Sequence, residues 1–223
     1  MSQSLCFTLF CSIIVTACGI NQSVPSTLAK HPDLNPAFQT PVETYKVSGD
    51  ILETSLITNP NHPESNYISV GLPFSPAKIL KQEIERKTGR KLIDRGEAHI
   101  TVVTPPEMDV LRQKLSKERI AELTGVDEIQ DENFSIVCLG RGRITSSAKT
   151  LETYFIVVAS RGLVERRTRL EQDFLAMGGA KTEFRAAYYF PHVTLGYTDR
   201  DLHESDGIIK DEKSCVAPLE ISY

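Results

Sequence analysis

His99-Ile100-Thr101-Val102 and, 93 residues further on, His192-Val193-Thr194-Leu195 share one pattern: His, apolar, Thr, apolar. In a strand, alternate side chains point to opposite faces. His and Thr therefore share one face, and the two apolar residues bury themselves on the other. Each segment presents an imidazole and a hydroxyl to a common surface. Two such segments supply a general base, a general acid and two hydrogen-bond donors around a phosphate, which is enough chemistry to open a cyclic phosphodiester. One motif alone reads as a strand histidine with satisfied hydrogen bonds; the pair, one in each half of the chain, is far more specific.

Working outward, the same order of elements surrounds each motif. Tyr67 to Leu72 reads as a strand, and Ser75-Pro76 as a helix start. Ala77, Leu80 and Ile84 form one helical stripe and Gly89 a stop. The first motif strand spans about 97 to 104, Pro105-Pro106 ends it, and a helical region covers about 107 to 123. In the second half, Phe134 to Ile144 and Leu151 to Ala159 are strand-like. Arg161 to Met177 is the clearest helix, with Leu163, Leu170, Phe174 and Met177 on one stripe and Gly178-Gly179 at its end. The second motif strand is expected over about 188 to 198, and Ala217 to Tyr223 as an edge strand. The predicted class is α+β, with duplicated strand–helix–strand units forming two pseudo-symmetric lobes of antiparallel sheet around a central groove.

The N-terminal third is different. Residues 1–17 carry no charge, and Leu5 to Ala17 has the length and composition of a signal-peptide core. Val15-Thr16-Ala17-Cys18-Gly19 resembles the lipobox of bacterial lipoproteins, which implies cleavage before Cys18, lipidation of Cys18 and an exported, membrane-anchored protein of the cell envelope. An uncleaved apolar segment is the alternative. Residues 18–65 read as a Pro/Asn/Ser-rich tether; Val42 to Thr58 interrupts it as a strand-like stretch, with a hairpin turn expected at Ser48-Gly49-Asp50. The compact domain is expected over 66–223.

The 223 residues are 40% hydrophobic and 24% charged, with a net charge of −4. That balance suits a globular domain and argues against an extended electrostatic grip on long nucleic acid. Of five cysteines, Cys6 and Cys11 fall in the signal and Cys18 is the lipid site. Cys138 and Cys215 remain, and two separate buried thiols are favoured slightly over a bridge. Two His with Thr neighbours are too few ligands for zinc, even with Asp201 and His203 nearby, so no metal and no cofactor is expected. Asp199, Asp201, Glu204 and Asp206 read as a surface turn.

The motifs resemble those of the two-histidine (2H) phosphoesterase superfamily. Gly96 to Val102 looks like the first motif of its Swiss-army-knife RNA repair-like, LigT-like branch. Tyr189-Phe190-Pro191-His192-Val193-Thr194-Leu195-Gly196-Tyr197-Thr198, followed by Asp199 to Glu204, looks like the second. The resemblance covers about residues 66 to 213. It implies a bilobal fold with the motifs facing across a groove, and metal-independent chemistry on cyclic phosphates or 2′-5′ linkages. His99 and His192 are the expected acid–base pair, in either order, with Thr101 and Thr194 as donors to the phosphate. Tyr189 and Tyr197 are candidates to stack on a base, and Arg141 and Arg143 to reach phosphate, although core packing and a solvated strand face compete with those roles. The expected ligand is a nucleotide or RNA-end 2′,3′-cyclic phosphate bound by a monomer. A tethered module that binds without turnover, and ligation in the reverse direction, are the rival readings.

Overall fold

The computed structural model describes residues 43–54, 66–126 and 128–223. The expected signal segment, Cys18 and most of the expected tether lie outside the described residues. In chain order the elements are β1 (Tyr45–Ser48), β2 (Ile68–Leu72), α1 (Phe74–Thr88), β3 (Ala98–Val103), α2 (Pro105–Leu111), α3 (Lys117–Thr124), β4 (Ser135–Thr145), β5 (Thr150–Ala159), α4 (Arg161–Ala176), β6 (His192–Tyr197), β7 (Cys215–Ala217) and β8 (Leu219–Ser222). The fold is α+β. Six strands form one antiparallel sheet in the order β2-β3-β6-β5-β4-β7, so the two motif strands are neighbours near its centre.

The period-two pattern decides which face is which. Ile100 and Val193, which pair across β3 and β6, join Ile156, Leu80, Ile84, Leu163 and Leu170 in one buried core. The helices thus cover the face that carries the apolar members of each motif, and His99, Thr101, His192 and Thr194 are left on the other. Burying each of these aliphatic side chains contributes roughly 1.5–3 kcal/mol. A one-residue register slip would push the histidines into that core and expose the isoleucines and valines, so the register is strongly specified. A second, smaller apolar cluster of Cys138, Phe155 and Val157 lies apart from the main core.

Local signals explain the element ends. Gly89 adopts a left-handed conformation (φ 67°), and its N–H closes α1 on the Glu85 carbonyl. Pro105-Pro106 not only ends β3 but opens α2, because Thr104 and Glu107 form a reciprocal capping box. The helical region expected over about 107–123 consists of two helices, with Ser116 capping the second.

Other expectations also need correction. Within the described residues 43–54, the chain does not turn back as a hairpin at Ser48-Gly49-Asp50. The Ser48 side chain accepts from Asp50 N–H and starts a 3-10 turn, and β1 pairs in parallel with the C-terminal β8. Tyr45, Val47 and Ile51 are buried in the main core, so this piece of the expected tether belongs to the compact unit. The second motif strand begins at His192 and not at 188, since Pro191 supplies no N–H to a ladder. Cys138 and Cys215 are joined in a disulfide with Cα atoms 5.8 Å apart, because β4 and β7 are hydrogen-bonded neighbours there.

Candidate active site

The site face of β3 and β6 floors a cleft of about 650 Å³, and His99, Thr101, His192 and Thr194 all line it. Continuing the Ile100–Val193 register by one residue each way sets His99 across from Thr194 and Thr101 across from His192. The two histidines are then diagonal neighbours, roughly 7–8 Å apart at the backbone. Both rings line the same cleft, where one phosphate can reach them.

The hydrogen bonds of His192 define its tautomer. Its Nδ1 lies 2.8 Å from the Phe190 carbonyl oxygen, which can only accept, so Nδ1 carries the proton. Nε2 therefore holds a lone pair, and the Lys210 ammonium lies 3.2 Å from it. Burial, and then the charge of Lys210, push the His192 imidazole down to about 3. On β3, Nδ1 of His99 sits 3.4 Å from Glu97 Oε1. Burial lowers His99 as well, while Glu97 and Asp201 oppose the shift.

Asp201 ties the charged groups together. Its Oδ1 accepts from Lys210 Nζ at 2.9 Å, and its Oδ2 accepts from Arg95 at 3.0 Å and from the Thr194 hydroxyl at 3.4 Å. Burial alone would raise the Asp201 carboxyl, but Lys210, with His203 and Arg95, outweighs it and holds the group below its ordinary range. Lys210 is itself lowered, chiefly by burial. The segment after β6 reaches this position because Leu202 N–H donates to the buried Thr153 hydroxyl on β5, and Arg200 and Asp206 brace the following turn. The expected surface turn thus delivers Asp201 into the site. His203 lies at the cleft wall, 3.9 Å from Asp201.

Two supports sit beneath this constellation. Phe155, wholly buried, meets the His192 ring edge-on at 5.8 Å, and Lys210 stands over its face at 5.4 Å. Its ring lies where a side chain on Gly140 would be, so glycine is required on the neighbouring strand. The second support is Arg167 on α4, 1% exposed. It donates to the Val102 carbonyl at the end of the first motif, to both Glu107 oxygens at 2.7 and 3.1 Å, and to the Arg185 carbonyl in the segment leading to the second motif. Its guanidinium also lies 4.7 Å from the Phe184 and Tyr189 ring centres.

The remaining predicted residues divide. Tyr189 lines the cleft, but its hydroxyl donates to the Thr101 carbonyl and its ring packs on Arg167, so it braces the first motif. Arg141 and Arg143 pair with Tyr154 and Glu152 on β5, which places them on the sheet face opposite to Phe155 and Thr194. Both lie within ion-pair range of buried Glu152 and neither lines the cleft. Tyr197 is at the far end of β6, its backbone bonded to Ile93, and it too stays outside the lining. Arg95 and Lys210 are charged site residues outside the motif stretches, and Asp201 lies in the stretch after the second motif that reads as a surface turn. Among the described residues, no group of three His, Cys, Asp or Glu side chains is placed to hold a metal ion.

No curated protein matches this chain, and no solved structure does. A family model does: Swiss Army Knife, 2H phosphoesterase domain, over residues 66–203, more than half of the chain and inclusive of both motifs. With two His-x-Thr strands side by side and their polar members in one cleft, the chain belongs to the 2H phosphoesterase family and has a phosphoesterase-type domain.

Proposed function

We propose that this protein is a metal-independent cyclic phosphodiesterase acting on the 2′,3′-cyclic phosphate of a nucleotide or RNA end. The observation that carries this reading is the convergence of His99, Thr101, His192 and Thr194 on one cleft beside a buried cation, Lys210. The phosphate lies between the imidazoles. One imidazole takes a proton from water as the water oxygen bonds to phosphorus. The other gives its proton to the departing ribose oxygen as that P–O bond breaks. Thr101 and Thr194 donate to the non-bridging oxygens, where negative charge builds. Each proton transfer is typically worth about 10²–10⁴ in rate.

The strand order supports reading the halves as a duplication: β2-α1-β3 and β5-α4-β6 flank the β3–β6 seam in mirrored order. The Cys138–Cys215 disulfide supports export through the Cys18 signal to an oxidising envelope compartment. A binding module without turnover is favoured by one observation, the depression of both imidazoles, which keeps them neutral near pH 7.

The test is product analysis of the purified protein with 2′,3′-cyclic nucleotides in the presence of EDTA. Conversion to a single phosphomonoester is expected. Calorimetric binding of the same nucleotides with no product would replace the enzyme with the binding module.

A further inference from the structure

Lys210 lies beyond the matched family region, 4% exposed, at the end of a segment that turns back into the cleft at Gly207 (φ 78°). A buried ion pair contributes little to stability over an apolar replacement, so the Lys210–Asp201 pair has no strong structural rationale of its own. Its placement is specific: Asp201 fixes Nζ at 2.9 Å, and the same Nζ sits 3.2 Å from the lone-pair nitrogen of His192. An ammonium has three N–H donors. Among the described residues two have acceptors, and the third is available to an anion in the cleft.

We propose, resting on the phosphoesterase reading, that Lys210 is a substrate-contacting residue whose ammonium moves from His192 Nε2 to a non-bridging phosphate oxygen, and that this move frees Nε2 to be the base. The attacking water then loses its proton to His192 Nε2 as its oxygen bonds to phosphorus. Glu97 beside Nδ1 and the negative charge of the bound phosphate raise the proton affinity of His99 in the complex, so His99 takes up a proton as the acid and gives it to the ribose oxygen as the P–O bond breaks. A phosphate between the rings pairs with the Lys210 charge and adds its own negative charge, so bound substrate makes His192 a stronger base than it is in the free protein. The groups that bear on His192 are Lys210, Asp201, His99 and the Phe190 carbonyl, with Arg95 and His203 acting through Asp201.

The experiment uses inorganic phosphate as probe and the intact protein, with Lys210→Met and the double variant Lys210→Met/Asp201→Asn, which leaves no unpaired buried carboxylate. Calorimetry is expected to show phosphate binding weakened about 10-fold or more in both variants, the scale of one charged hydrogen bond. NMR titration is expected to show His192 of free Lys210→Met protonating at higher pH than in the wild type. Phosphate affinity within twofold of wild type in either folded variant, no phosphate binding by the wild type, or an unmoved His192 titration overturns the proposal. The two readings fail separately. Loss of phosphate binding in the variants, with no cyclic-nucleotide turnover by the wild type, leaves Lys210 in place and removes the cyclic diester. Turnover with Lys210-independent phosphate binding does the reverse.

Discussion

Replacing Arg167 by Met tests whether the interior of the domain is tied to its site. The substitution keeps an unbranched side chain on the inner stripe of α4 and deletes the guanidinium. Four hydrogen bonds are lost, two of them to the Glu107 carboxylate, together with stacking on Phe184 and Tyr189. Breaking a buried ion pair by removing one partner costs about 3–5 kcal/mol; the Glu107 side chain is 24% exposed and can rehydrate, so the lower end, about 3 kcal/mol, applies. With a urea slope of about 2 kcal/mol per M for a domain of this size, the unfolding midpoint falls by about 1.5 M. Arg167→Lys recovers little of this, since one ammonium cannot span two carboxylate oxygens and two carbonyls. Activity is expected to fall in the folded protein too, because Val102 and Tyr189 hold the first motif through this contact. Urea denaturation followed by circular dichroism is the assay, with Glu107→Gln completing a double-mutant cycle. A loss under about 0.5 kcal/mol, or strict additivity with Glu107→Gln, would show that Arg167 is not held by this carboxylate.

Other predictions follow from the disulfide and the histidines. The Cys138–Cys215 bridge spans 77 residues, for which chain entropy gives about 4.5 kcal/mol, so Cys138→Ser/Cys215→Ser should unfold at clearly lower urea concentration; equal midpoints with and without reductant in the wild type would argue against the bond. His192 is depressed from 6.5 to about 3, so the unfolded chain binds more protons than the native one between those values. The stability from neutral His192 is whole above pH 6.5 and is lost as pH falls toward 3, and His99 adds in the same direction. His192→Asn should flatten that acid-side decline in urea midpoints measured from pH 7 to 4, and an unchanged slope would sink the claim.

The parts of this fold legible in the sequence are those set by local periodicity. The His-x-Thr alternation places both imidazoles on one face, and α1 and α4 end within a residue or so of their stops. What escapes is what depends on long-range register. Arg141 and Arg143 share a strand face, as their spacing implies, but only pairing with Tyr154 and Glu152 shows that it is the wrong face. Met177 continues the apolar stripe of α4 yet is 60% exposed, because the helix stops at Ala176. Arg167 was detectable in principle: it fills the gap in the stripe Leu163, Leu170, Phe174, a charge at a core position. Lys210 carries no such local signal, since its place depends on how the segment after Asp201 turns back. The cysteines are similar, brought together only by the β4–β7 ladder.

In the proposed mechanism two imidazoles act on one phosphate. Single-turnover rates on a 2′,3′-cyclic nucleotide, measured for His99→Ala, His192→Ala and the double variant, test it most directly. Each single change is expected to slow the chemical step by about 10²–10⁴, with the double variant little slower than the worse single, as for residues that act as a unit. Either single variant turning over within tenfold of the wild type would remove that imidazole from the acid–base pair.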